Sequence, residues 1–331
     1  MYTICLGQFG NDQSITKTGT TVAQFLKIGM DARSTSMGGA VAGQNGNLSG
    51  VYWNPASIAS YQGIGVQFGS YDWLVAMKYQ FAIIGIDLGS KGVLGLSIVN
   101  LSSPDDLVRT VSEPQGTGEK FSTNDLSASL TYSKMLTDHF SLGGSFKYIQ
   151  QNIWHSTAHT VAIDIGTLFQ TPFYGTRLGA SISNYGGKMK MDGRDQKISI
   201  DPDLDNQGNV EFVNAIYETE HFPLPLFFRV GVSGELIKKQ NLKLSYGIDA
   251  LHPNDNTEHL NLGFELNYRE ILFLRGGIPS FYKMDSVEGP TFGAGLNYHM
   301  TRTATLLKID YSFSSYGPLG DVERLSIGFN F

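Results

Sequence analysis

The chain has a single cysteine, Cys5, in 331 residues. That excludes a disulfide framework and a multi-cysteine metal site. No stretch approaches 18 consecutive apolar residues and the mean hydropathy is only −0.11, so helical transmembrane spans are excluded too. Basic charge is scarce: 24 Lys and Arg against 30 Asp and Glu leave a net charge of −6, no field for nucleic acid. Catalytic signatures are also missing. There is no Gly-x-Ser-x-Gly elbow, no Gly-x-x-x-x-Gly-Lys-Ser/Thr and no His-Glu-x-x-His, so the chain reads as a non-enzyme without a cofactor. Proline is sparse at 11 residues, whereas 39 Gly, 16 Tyr and 20 Phe suit a β-rich protein with tight turns and aromatic girdles.

What is present is a rhythm. From Gly63 to Phe331 the chain alternates apolar and polar residues in stretches of about ten. Ten residues at roughly 3.3 Å each, tilted by about 40°, span roughly 25 Å, the height of an outer-membrane apolar band. Fourteen strands are predicted, at 63–70, 77–88, 92–101, 124–134, 140–150, 159–170, 176–185, 224–236, 241–252, 258–268, 271–279, 289–299, 304–314 and 322–331. In the tenth, Leu260, Leu262, Phe264 and Leu266 alternate with Asn261, Gly263, Glu265 and Asn267. In the thirteenth, Leu307, Ile309, Tyr311 and Phe313 oppose Lys308, Asp310, Ser312 and Ser314. An aromatic, Phe331, closes the last strand.

Loop lengths point the same way. Seven connections read as long or medium (71–76, 102–123, 151–158, 186–223, 253–257, 280–288, 315–321) and alternate with six short ones. A soluble sandwich has no reason to sort its loops by parity, whereas an outer-membrane barrel has short periplasmic turns and longer extracellular loops. The expectation is an all-β, 14-stranded antiparallel transmembrane β-barrel in contact with membrane lipids, both termini periplasmic. Residues 1–23 read as a signal-peptide remnant and arm, because Met1–Gln8 has no basic region and too short an apolar core for a whole signal. Residues 24–62 are rich in small residues and lack the strand pattern, which predicts a plug folded into the lumen of the 63–331 barrel. Within it Asn54-Pro55 favours a turn that opens a short helix.

Two stretches carry a family resemblance. Phe25–Ala40, with Arg33 and Met37-Gly38-Gly39, and Val51–Ser57, with Trp53-Asn54-Pro55-Ala56, resemble the N-terminal signature of the PorV/PorQ family. Tyr71-Asp72-Trp73-Leu74 looks like that family's first loop. The family lies within the superfamily of long-chain fatty-acid transporter-like (FadL-like) barrels, with fourteen strands and a plug carrying the Asn-Pro-Ala turn. The resemblance implies a component of the type IX secretion system of Bacteroidota-like bacteria. A PorV-like protein binds the large translocon barrel and accepts cargo proteins through their C-terminal signal domains; a PorQ-like one acts later, in attachment. The rival expectation is a barrel that takes up hydrophobic small molecules.

Several residues are candidates for a role. Lys147, Asp164, Arg229, Glu235, Lys243, Asp249, Glu265, Lys308 and Asp310 fall out of phase with the apolar face. Charges facing lipid at mid-membrane cost about 2–4 kcal/mol, so these point inward and are expected to pair and hold the plug. The 186–223 loop is long enough to be functional. Its Lys197–Ile200 and Val210–Val213 segments suggest a hairpin, and Ile198, Ile200, Phe212, Phe222 and Leu224 are candidate partner contacts. Asp201, Asp203 and Asp205, followed by Gly208, match the first half of a calcium loop, but Asn214 stands where the bidentate carboxylate belongs. His155 and His159 are a weak metal pair.

Overall fold

The computed structural model describes residues 17–173, 175–202, 205, 212–283, 286–300 and 305–331. Fourteen strands form its wall: Ile64–Asp72 (β1), Lys78–Asp87 (β2), Val93–Ser102 (β3), Thr123–Thr137 (β4), Phe140–Ile153 (β5), Ser156–Gln170 (β6), Arg177–Gly186 (β7), Phe227–Lys239 (β8), Leu242–Pro253 (β9), His259–Tyr268 (β10), Leu272–Phe281 (β11), Thr291–Met300 (β12), Thr305–Ser315 (β13) and Asp321–Asn330 (β14). Each pairs antiparallel with its neighbours, and β1 pairs with β14 (Val66 opposite Phe329). The sheet therefore closes into a barrel and leaves no edge exposed to lipid. Two-residue strands at Asp192–Gly193 extend the loop end of β6, and Asp106–Leu107 pairs with Lys120–Phe121.

The alternation works as the pattern predicts. In β10, Asn261 and Glu265 are buried while Phe264 faces outward, half exposed. Large apolar side chains such as Leu96, Ile98, Phe146, Ile165, Leu274 and Phe292 stand on the outer face. No described helix is long and apolar enough to cross a membrane.

The loop lengths depart from strict alternation. The expected 151–158 loop is a two-residue turn, Trp154-His155, because β5 and β6 run to 14 and 15 residues and continue their ladder to Ile153↔Ser156. The asymmetry between the ends rests chiefly on two connections, 103–122 and 187–226. We call their side the loop end and the other the turn end.

The plug is built from short turns. Gln24–Lys27 and Pro55–Ser60 are 3-10 segments, and Ala32–Ser36 and Gly50–Trp53 are single helical turns. Asp31 caps the first helical turn, accepting from Ser34 N at 3.0 Å, and Pro55 opens its segment at the first position. Gly38 and Gly39 both take positive φ (63° and 73°), and a Cβ on Gly38 would stand 3.0 Å from the backbone of Ile278. Only glycine fits there.

This segment crosses the lumen lengthwise. Phe331 N bonds Ile64 O (2.8 Å) at the turn end. The first described residues sit at the opposite end, where Val22 N bonds Pro223 O (3.1 Å) and Ala23 N bonds Gln151 Oε1 (2.9 Å). Phe331 and the described arm therefore lie at opposite ends of the barrel, because the plug uses the barrel's height before entering β1.

Candidate functional site

Wall and plug meet on a belt of glycines. A Cβ on Gly179, Gly247, Gly263 or Gly277 would strike the plug backbone at Ala42, Ala40, Met37 and Gly38 respectively. Gly143 and Gly166, paired across β5 and β6, leave the space that Asn54-Pro55-Ala56 fills. Where the belt is not glycine it carries hydroxyls: Ser312 Oγ lies 3.0 Å from Thr35 Oγ1, and Ser326 Oγ accepts from Ala32 N at 2.9 Å. Strand glycines let another backbone approach closely. The many glycines of the composition thus have a location.

Within the plug, Asn54 Nδ2 donates to Ala42 O (2.8 Å) and, across to the wall, to Thr167 O (3.1 Å), while its Oδ1 accepts from Ala56 N (3.1 Å). Trp53 Nε1 donates to Asp31 Oδ1 (2.9 Å). Asp31 was not singled out in the sequence, although Asp two residues before Arg33 at the head of a polar run is an N-cap signal. Met37 and Ala56 are fully buried.

The inward charges fall into separate groups rather than one network. Arg33 reaches Glu265 with two bonds of 3.1 Å; Glu265 also takes Arg275 Nε at 2.7 Å, and Arg275 NH1 reaches Asp310 at 2.6 Å. Lys147 pairs with Asp164 at 2.6 Å. Asp249 accepts from the plug backbone at Val41 N and Ala42 N, both 2.9 Å. Arg229 stacks over Trp53, 4.8 Å from the ring centroid, with no carboxylate ion pair among the described residues. Glu235 pairs with Lys243 (2.6 Å) and Lys238 (3.2 Å) near the turn-end rim. Lys308 has no ion pair among the described residues, a departure from the expected pairing. Sequence reasoning missed Arg275 and Arg324. Arg324 is 1% exposed, lies over the rings of Tyr71 and Trp73 at 4.9 and 5.3 Å, and donates to Ser314 Oγ at 2.9 Å.

At the loop end, above the plug, lies a cavity of about 840 Å³. Phe25, Leu26, Ile28, Leu101, Phe227 and Leu251 give it an apolar body, and Lys147, Arg229 and His259 stand among them. The arm that partly roofs it is latched by Asp255, whose Oδ2 takes Thr21 Oγ1 (2.5 Å), Lys27 Nζ (2.6 Å) and Gln24 Nε2 (3.0 Å). Burial pushes this carboxyl up, but the hydrogen bonds outweigh burial and hold it below the usual carboxylate range. A depressed carboxyl contributes its stability above the unfolded pKa and loses it as pH falls through the lowered value. Acidification from neutrality to about pH 4 should therefore leave the arm docked, whereas Asp255→Asn should undock it at pH 7. Hydrogen-exchange protection of residues 20–28 reads both; equal protection in wild type and variant would remove the latch.

The outermost surface is the long loop. Lys197–Ile200 pairs with Val213–Ile216, Ile198 opposite Ala215 and Ile200 opposite Val213, so these four share one face. The partner strand starts three residues later than the sequence suggested; Val210 and Glu211 lie outside the described residues. Ile200 and Phe212 are exposed, as is Phe222, which is tied to Met189 by paired backbone bonds of 2.9 Å. Leu224 is buried in the core and is not a surface contact. Of the calcium candidates, Asp203 lies outside the described residues, and no group of three or more metal-ligating side chains forms among those described. His155 is held by Asp195 (2.8 Å) and Arg194 (2.6 Å), joining a turn to the long loop, while His159 stacks near Tyr148.

Comparison with known proteins places this architecture. No curated protein sequence matches the chain. Among solved structures, it is similar to a Pseudomonas aeruginosa FadL homologue (TM-score 0.53, 10% identity, covering 91% of this chain and 98% of that one). The Ralstonia pickettii toluene transporter TbuX gives 0.55, 12%, 91% and 97%, and the Pseudomonas putida toluene transporter TodX 0.56, 13%, 91% and 98%. At such identity these likenesses establish the FadL-like outer-membrane barrel fold alone. Sequence decides further: residues 11–222 match the family model of the type IX secretion system protein PorV. The chain belongs to the PorV family of type IX secretion outer-membrane barrels.

Proposed function

We propose that this barrel is a non-catalytic secretion component that binds the translocon barrel, cargo with a C-terminal signal domain, or both, at its loop end. The carrying observation is the division of the molecule. Its lumen is filled at the glycine belt by a plug tied through buried hydrogen bonds and ion pairs, whereas its loop end presents a hairpin with an apolar face. A surface of that kind takes a partner strand or apolar patch. Family membership supplies the partner class, and an extracellular loop end is part of the reading.

The test is to substitute Ile198, Ile200 and Val213 together by Ser and measure co-purification of secretion partners from native membranes. The expected result is a loss of ten-fold or more in partner yield with unchanged heat-modifiable gel mobility. Full recovery would move the contact elsewhere. The loop-end cavity favours a second reading, passage of hydrophobic small molecules, for which its apolar body supplies a place to bind. The plug packed against the glycine belt beneath weighs against free passage.

A further inference from the structure

A second, smaller cavity lies on the other side of the plug. It has a volume of about 180 Å³ and is lined by Arg33, Arg275, Lys308, Asn297, Gln67 and Asn45. Asn45 and Gly46 at its rim are exposed, so it opens toward the turn end. Its charges do not balance. Glu265 and Asp310 are the carboxylates, and both are consumed: Glu265 by Arg33 and Arg275, Asp310 by Arg275. Lys308, two residues from Asp310 on the same face of β13, is left as a third cation with no ion pair or hydrogen bond among the described residues. It is only partly exposed. An ammonium held in such a place without a counter-charge is unfavourable unless something supplies one. Asp310 itself lines the cavity, and beside apolar Val66 and Phe329 the lining holds the side-chain amides of Asn45, Gln67, Asn297 and Asn330, whose NH₂ groups are donors.

We infer that this turn-end cavity is a binding site for a small oxyanion, a carboxylate or a phosphoryl group, with Lys308 as its counter-charge and the neighbouring guanidiniums and amides as donors. Charge-assisted bonds from ammonium and guanidinium are the strong ones for such groups. At about 180 Å³ the cavity is too small for the hydrophobic molecule that the 840 Å³ loop-end cavity would suit. The site is independent of what binds at the loop end.

The experiment uses the whole detergent-solubilised barrel in a low-chloride buffer at low ionic strength. Inorganic phosphate and succinate are titrated separately by calorimetry, and the unfolding midpoint is read from heat-modifiable mobility. The inference predicts saturable one-to-one binding of at least one anion. Lys308→Gln should weaken it ten-fold or more, and Lys134→Gln, at the same end but outside the cavity, should leave it unchanged. Binding of phosphate alone assigns a phosphoryl ligand, and of succinate alone a carboxylate. The anion should raise the wild-type midpoint and not that of Lys308→Gln. Without anion, the variant should unfold no earlier than wild type, since it loses an uncompensated charge. No saturable binding of either anion, or equal binding by Lys308→Gln, would overturn the site.

Discussion

Arg275→Met should destabilise the barrel by about 3–5 kcal/mol, the range for removing one partner of a buried ionic group. Among the described residues, only Arg275 pairs with both Glu265 (2.7 Å) and Asp310 (2.6 Å), and its side chain is 2% exposed. Its removal leaves Asp310 without its partner and Glu265 dependent on Arg33 alone. Since Arg33 belongs to the plug, the loss reaches both wall and plug. The comparison is Lys238→Met, whose side chain is 77% exposed and pairs with Glu235 at 3.2 Å; pairs at the surface contribute about 0–1 kcal/mol. Heat-modifiable gel mobility against temperature reads both variants. Equal shifts would mean that the buried triad has no special weight.

Gly166→Val should displace the plug. A Cβ at this position overlaps Asn54 Oδ1 and comes within 3.0 Å of Pro55 Cδ, and Val adds two further methyl groups. The plug cannot yield locally, because Asn54 is itself tied to Ala42 O and Thr167 O. The expected outcome is a barrel that still forms but gains ion conductance in planar bilayers and proteolytic sensitivity at residues 54–56. Gly144→Val is the matched control: it is the neighbour of Gly143 on the same strand, yet its Cβ meets nothing nearer than Asp164 O at 3.6 Å. Conductance unchanged in Gly166→Val, or equally raised in both variants, would contradict the belt as the seal.

How much of this was legible in the sequence depended on the range of the interaction. Period two is local, so the fourteen strands and the inward phase of Glu265 and Asp310 could be read directly. Arg275 was hidden because Leu272-Phe273-Leu274 interrupts the alternation; Phe273 faces inward with it, 5.1 Å beneath its guanidinium. Arg324 has a readable inward phase, opposite Leu325, Ile327 and Phe329, but its partners are the rings of Tyr71 and Trp73, far upstream in the chain, rather than a carboxylate. The overcounted 151–158 loop shows the opposite error: Asn152, Thr157 and His159 are polar, but near the loop end a strand can be polar on both faces and still continue. The glycines were countable, but their contacts join residues far apart in the chain, from Gly143 with Ala56 to Gly277 with Gly38, as do Lys27 and Asp255. Only the closed barrel brings those together.

The central claim is that this plugged barrel serves secretion through its loop end. A mild-detergent pull-down of the tagged protein from its native outer membrane, with co-purifying proteins identified by mass spectrometry, tests it most directly. The account predicts a very large barrel, or proteins sharing a C-terminal β-domain, in the eluate. Recovery of this barrel alone, carrying fatty acid or another lipid, would contradict it and favour transport.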